Sequence, residues 1–131
     1  MTSGLTIKAD SGPALRFERL FRYERDGWRT YSIAMLNAPV TGRFQVSDMD
    51  STRYAAYFAA IADGWRGWPG EKTLSSIKGD LTLRATADGS GTVALKVELQ
   101  ANEDWRLEGL LALKAGSLQL LARSARQFFG G

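Results

Sequence analysis

Apolar and polar residues alternate over long stretches of this 131-residue chain, most regularly in its second half. Leu81, Leu83, Ala85 and Ala87 alternate with Thr82, Arg84 and Thr86, the period of a half-buried strand. Asp88-Gly-Ser-Gly91 supplies residues suited to the positive φ of a hairpin turn. Val93, Leu95, Val97 and Leu99 form the next inward face, opposite Lys96 and Glu98. After the polar turn 100–104 come Trp105, Leu107, Gly109, Leu111 and Leu113, with Arg106, Glu108 and Lys114 pointing outward. The period then becomes helical. Leu118, Leu121, Ala125 and Phe128, joined by Phe129, make one stripe, Ser117 stands where an N-cap belongs, and Gly130-Gly131 ends the helix.

The first half repeats this plan. Leu15, Phe17, Phe21 and Tyr23 share a strand face that Arg19 interrupts, and Arg16, Glu18, Arg22 and Glu24 share the other. Asp26-Gly27 marks a hairpin, Tyr31, Ile33 and Met35 return, and Asn37-Ala-Pro39 breaks the run. Phe44 and Val46 follow, and Asp50 is placed to cap a helix bearing Tyr54, Phe58, Ile61, Ala62 and Trp65. Adding 67 carries Phe44 to Leu111, Val46 to Leu113, Asp50 to Ser117 and Phe58 to Ala125, so strand, cap and helix align without a gap. The prediction is an α+β fold in a single domain, residues 1–131, with pseudo-repeats 15–65 and 81–129. Each repeat is β-β-β-α, and together they form an antiparallel sheet with two helices packed on one face. Leu5 to Ala9 and Leu74 to Ile77 read as added edge strands.

Composition removes several chemistries. The chain has no His and no Cys, so the commonest general base, the commonest metal ligand and thiolate chemistry are all missing. It carries no P-loop, dinucleotide fingerprint or nucleophile elbow. Asp48-Met-Asp50 resembles a divalent-metal pair, but capping accounts for Asp50 and the helix dipole for Asp48. Glu103-Asp104, and Asp63 with Glu71, are acid pairs too loose to imply acid–base work. No catalytic residue, metal site or cofactor is expected, and the reading is not an enzyme. The N-terminus has no apolar signal core, and no apolar run approaches the roughly 18 residues of a membrane span. A cytoplasmic protein with no membrane partner is expected.

Charge bears on partners. The net charge is +3, from 17 Lys and Arg against 14 Asp and Glu, and the two signs are interspersed. Without a segregated basic patch the sequence points away from nucleic acid. The densest basic run is Arg16, Arg19, Arg22, Arg25 and Arg29, interleaved with Phe17, Phe21 and Tyr23. That is the composition of a sheet-type RNA binder, yet strict alternation would turn those aromatics toward the helices. Arg19 would also face inward, either at a bulge or as a buried charge needing a carboxylate or a carbonyl.

The joint between the copies, residues 63–72, holds Trp65 and Trp68, three glycines and Pro69. Gly64 or Gly67 can end the first helix in the left-handed conformation, and Pro69-Gly70 reads as a turn. Trp65 completes the helix stripe. Trp68 lies beyond it, and either plugs the seam or anchors a partner. Candidate binding residues are Trp68, Arg66, Glu71 and Lys72 in the joint, Arg19, and Arg84 with Arg106 on the open sheet face.

The stretch from Gly64 to Lys72, continuing through Ser75-Ser-Ile-Lys-Gly-Asp-Leu81, resembles a family of small bacterial proteins defined only as a domain of unknown function. The shared features are the Trp–Gly–Glu-Lys joint, a Ser-x-x-Gly-x-Leu-x-Leu strand start and a segment like Leu118 to Phe129, and together they span residues 60–129. The resemblance implies a bacterial cytosolic context and no activity. The reading is a non-catalytic protein-binding module, of immunity type by analogy, using the open sheet face or the Trp68 joint. The alternative is a small-molecule or nucleic-acid binder using the cleft between the copies and the Arg-rich first strand.

Overall fold

The computed structural model describes residues 4–9, 12–37 and 40–130. Each half of the chain forms a four-stranded antiparallel meander followed by a helix. The first contains β1 (Gly4–Lys8), β2 (Ala14–Arg19), β3 (Trp28–Asn37), β4 (Val40–Met49) and α1 (Thr52–Asp63). The second contains β5 (Trp68–Ser75), β6 (Leu81–Ala87), β7 (Thr92–Ala101), β8 (Trp105–Lys114) and α2 (Leu118–Phe129). The α+β two-repeat fold therefore stands. Each repeat has four strands, because the two expected edge strands are full members, and the strands form two sheets instead of one. Ala38, Pro39 and Gly131, part of the expected breaker and helix stop, lie outside the described residues.

The alternation explains the layering. Leu15, Phe17, Tyr31, Ile33 and Val46 are buried from sheet 1, and Leu81, Leu83, Leu95, Val97 and Leu111 from sheet 2. Each such side chain contributes roughly 1.5–3 kcal/mol through burial. The two inner faces meet closely enough that a Cβ on Gly109 would collide with the Met35 methyl, and one on Gly42 with Leu107. The helices run antiparallel. At one end Ser51 Oγ donates to the Phe129 carbonyl at 2.8 Å, and at the other Gln119 Nε2 donates to the Ala62 carbonyl at 3.4 Å.

Each helix also reaches across to the other repeat. Phe129 of α2 stands edge-on to Phe17 of β2 at 5.4 Å and stacks on Tyr54 at 4.9 Å. Tyr57 of α1 donates to the Lys72 carbonyl of β5 at 2.8 Å. Among the described residues no helix is long and apolar enough to cross a membrane.

Three local expectations are corrected. Strand β2 ends at Arg19 and does not continue to Tyr23; Phe21–Tyr23 form a 3-10 turn. An arginine opposite Tyr31 cannot enter the apolar core, so the chain leaves the sheet and folds Glu24 back onto it. The joint is strand from Trp68 onward, after a turn at residues 64–67. Pro69-Gly70 lies in an irregularity between Trp68 and Lys72, tolerated because β5 is an edge. Neither expected cap works through its side chain. Asp50 lies outside α1 with φ of 51°, Ser51 holds the N-cap position without a cap bond, and Ser117 Oγ donates back to the Lys114 carbonyl at 2.8 Å.

Candidate functional site

The candidate residues do not converge on one place. Arg84 and Arg106 share the outer face of sheet 2 with Glu71, but their charges are already used. Glu98 lies at the centre, 3.2 Å from Arg84 Nε, 3.5 Å from Lys96 Nζ and 3.4 Å from Arg106 Nη2. Glu71 pairs with Arg84 at 3.6 Å, and Glu108 pairs with Arg106. Burial pushes the Glu98 carboxyl up, but Arg84 and Lys96 outweigh it and hold the group below the usual carboxylate range. This face is an internally neutralised ladder.

Trp65 leaves the core position expected of it, whereas Trp68 packs against the core, one of its two expected roles. Trp68 is half-buried against the core, with its indole N–H donating to the Ala85 carbonyl at 3.3 Å and Lys72 Nζ 5.0 Å from its ring. Trp65 lies past the end of α1, 45% exposed, with Arg66 over its ring at 4.9 Å. Helical spacing assigned Trp65 to the core, but α1 stops at Asp63, two residues too early.

Arg19 finds the carboxylate it requires. Two hydrogen bonds join it to Glu24, one of 2.8 Å from Nη2 to Oε2. The bonded guanidinium holds the Glu24 carboxyl below its ordinary range. Around this pair stands a cluster whose geometry the sequence did not reveal. The 3-10 turn throws Phe21 and Tyr23 outward, 48% and 45% exposed. The Arg19 guanidinium lies 4.3 Å from the Phe21 ring centroid, and that of Arg22 lies 4.9 Å from Tyr23. A cation on one face of a ring leaves the other open to a flat partner. Among the described residues Arg22 and Arg25 make no ion pair.

The expected Asp26-Gly27 hairpin, with φ of 44° and 85°, holds Arg25 opposite Trp28. Beside it opens a depression of about 450 Å³ lined by Arg25, Trp28, Arg29 and Ser51 among others. Arg29 closes its floor by donating to Ser51 Oγ at 2.8 Å and to the Phe129 carbonyl at 2.9 Å, a cation at the C-terminal end of α2. The arrangement offers aromatic faces, stacked guanidiniums and hydrogen-bond donors. Glu24, Asp26 and Asp50 also line the depression, and among the described residues no group of three His, Cys, Asp or Glu could hold a metal.

One buried polar group was misassigned. Asp48 does not sit at the helix end facing solvent; its side chain is 1% exposed. It accepts hydrogen bonds from Tyr54 Oη at 2.6 Å, Arg53 Nη2 at 2.7 Å and the Ile77 N–H at 3.3 Å. It thereby fastens the turn between β5 and β6 onto the first repeat.

Among the solved structures that share this fold are two of low sequence identity. The structure of Trypanosoma bruciei MRP1/MRP2 is 18% identical with a TM-score of 0.54, covering 95% of this chain and 81% of that one. A guide-RNA-binding protein complex bound to a gRNA is 17% identical with a TM-score of 0.55, covering 97% and 89%. At these identities the likeness is one of fold. No curated protein shows significant similarity to the chain. The expectation that pointed away from nucleic acid is corrected here, since a chain of this fold occurs in a complex with RNA. One ground for that expectation also fails, because Phe21 and Tyr23 are exposed and do not turn toward the helices, although Phe17 does. A family model described only as a family of unknown function matches residues 6–131, and the chain belongs to that family, DUF6228.

Proposed function

We propose that the protein binds single-stranded nucleic acid, with the Phe21–Tyr23 turn as its stacking platform and Arg22 and Arg25 as phosphate contacts. The observation that carries this reading is the exposure of both rings, each with a guanidinium already on one face. Unpaired bases stack on such rings without regard to sequence, whereas a duplex hides its base faces. The shared fold of a complex bound to a gRNA supports the same reading. Docking of a protein on Arg84 and Arg106 has less to support it, because both are held in ion pairs with Glu98. The immunity-type analogy gains no support from either neighbour.

Fluorescence anisotropy of a labelled ten-nucleotide oligouridylate, titrated with the full chain at low salt, tests the proposal. Wild type is expected to bind. The Phe21→Ala/Tyr23→Ala pair is expected to weaken binding by tenfold or more, at about 1–3 kcal/mol per stacked base. Equal binding by the pair and wild type would remove the turn from the site. No binding by wild type to any single strand would end the proposal.

A further inference from the structure

A second feature of the molecule has the same chemistry in a different place. Between the free edge of β4 and the loops of sheet 2 runs a groove of about 760 Å³, larger than the depression beside Arg25. Strand β4 pairs with β3 on one side only, so its other side presents unpaired backbone groups along the groove at residues 41–46. Trp105 stands on the inward-facing register of β8, two residues beyond Leu107, where the packed core has ended. It is 61% exposed. A large ring left uncovered on the inner side of a sheet, against an open groove, is a surface that a flat partner can use.

The charges around it are available too. Arg43 donates only to Ser32 Oγ at 3.3 Å, and among the described residues neither Arg43 nor Lys78 makes an ion pair. The one acid on the groove wall, Asp80, is engaged by the Ser76 hydroxyl. Gln100 Nε2 donates to the Asn102 carbonyl at 2.9 Å, and Asn102 Oδ1 accepts the Asp104 N–H at 2.8 Å. That leaves Gln100 Oε1 as an acceptor and Asn102 Nδ2 as a donor for another group.

We infer that this groove holds an unpaired nucleotide of a bound single strand, its base on Trp105 and its phosphate between Arg43 and Lys78. The free amide atoms of Gln100 and Asn102 stand ready for the base edge. The volume suits one or two nucleotides. The inference rests on the single-strand reading above but names a different site, and its failure can be told apart from failure of that reading.

The test combines the oligouridylate titration with intrinsic tryptophan fluorescence on the full chain. Trp105→Ala is expected to weaken binding roughly tenfold and to abolish most of the ligand-induced quenching, while Trp105→Phe keeps most of the affinity. Arg43→Gln/Lys78→Gln, two changes on the exposed lip, is expected to lower affinity and flatten the log–log salt slope by about 0.7, for the one phosphate the two cations share. This pair also serves if Trp105→Ala fails to fold. If wild type binds while Trp105→Ala and the lip pair bind equally well with unchanged quenching, the groove is not a site and the single-strand reading survives. If wild type binds no single strand, both fall.

Discussion

Asp48 shows how a residue's role depends on partners that sequence spacing cannot reveal. Its position two residues before Asp50 suggested a helix-end charge, yet one of its donors is the backbone of Ile77, 29 residues away. Ser51 is similar, since its hydroxyl serves a carbonyl 78 residues along the chain. Removing the carboxylate would leave Tyr54 Oη and the Ile77 N–H without their acceptor, and Arg53 with only the Ser75 and Met49 carbonyls. Asp48→Ala is therefore expected to cost about 3 kcal/mol, the low end for a broken buried pair because Arg53 is one-third exposed. Tyr54→Phe, which removes a single hydrogen bond, should cost about 1 kcal/mol. Urea unfolding of the two variants checks the difference, and equal midpoints would show that Asp48 is a peripheral contact. Arg19, by contrast, was partly readable: a lone arginine on an inward face needed a bulge, a carboxylate or a carbonyl, and Glu24 supplies the carboxylate.

Strands were legible wherever alternation ran unbroken, as from Leu81 to Ala87 and from Val93 to Leu99. They were hidden where turn residues sat inside them, as in β5, whose Pro69-Gly70 occupies an edge irregularity that leaves the strand intact. The end of β2 was missed for the opposite reason. Phe21 and Tyr23 keep the right spacing, but the cost of burying Arg19 decided the path of the chain. The exposed platform was thus invisible to periodicity, and a charged residue on a core face just before two aromatics was the signal that could have found it.

The ion pairs between and beside these strands set a pH dependence. Glu98 and Glu24 both have carboxyl pKa values lowered from the ordinary 4.5, so their contribution is complete above that value and is lost as pH falls through the depressed one. Being partly exposed, each contributes at most about 1 kcal/mol. Burial raises the phenols of Tyr31, Tyr54 and Tyr57 above the ordinary 10.0, so the stability they lend is complete below pH 10.0 and lost as pH rises further. Urea midpoints are expected to fall below pH 4.5 and again above pH 10.0, with absorbance at 295 nm rising together with unfolding on the alkaline side. Glu98→Gln should flatten the acid limb, and an unchanged limb would assign it to other carboxylates.

At the scale of the molecule, duplication builds two meanders whose inner faces and paired helices consume the apolar residues. What remains among the described residues includes an outer face of sheet 2 closed by its own ion pairs, the exposed Trp65–Arg66 stack, and two further places where aromatic rings meet cations that make no ion pair. The first of these two places lies at the Phe21–Tyr23 turn of the first repeat, and the second in the groove between β4 and the loops of sheet 2. A strand engaging both would need only unpaired bases and phosphates. The mixing of charge along the sequence concealed this, because Glu71, Glu98 and Glu108 neutralise their own sheet and leave Arg22, Arg25, Arg43 and Lys78 unpaired among the described residues.

The salt dependence of binding to a single-stranded oligonucleotide tests this account most directly. Measured from 50 to 300 mM salt, log K against log salt should fall linearly for wild type. Arg22→Gln/Arg25→Gln should reduce the slope by about 1.4, two contacts at about 0.7 each on a single strand. A duplex of the same sequence should bind more weakly. Single strand and duplex bound equally, or a wild-type affinity unchanged by salt, would contradict the account.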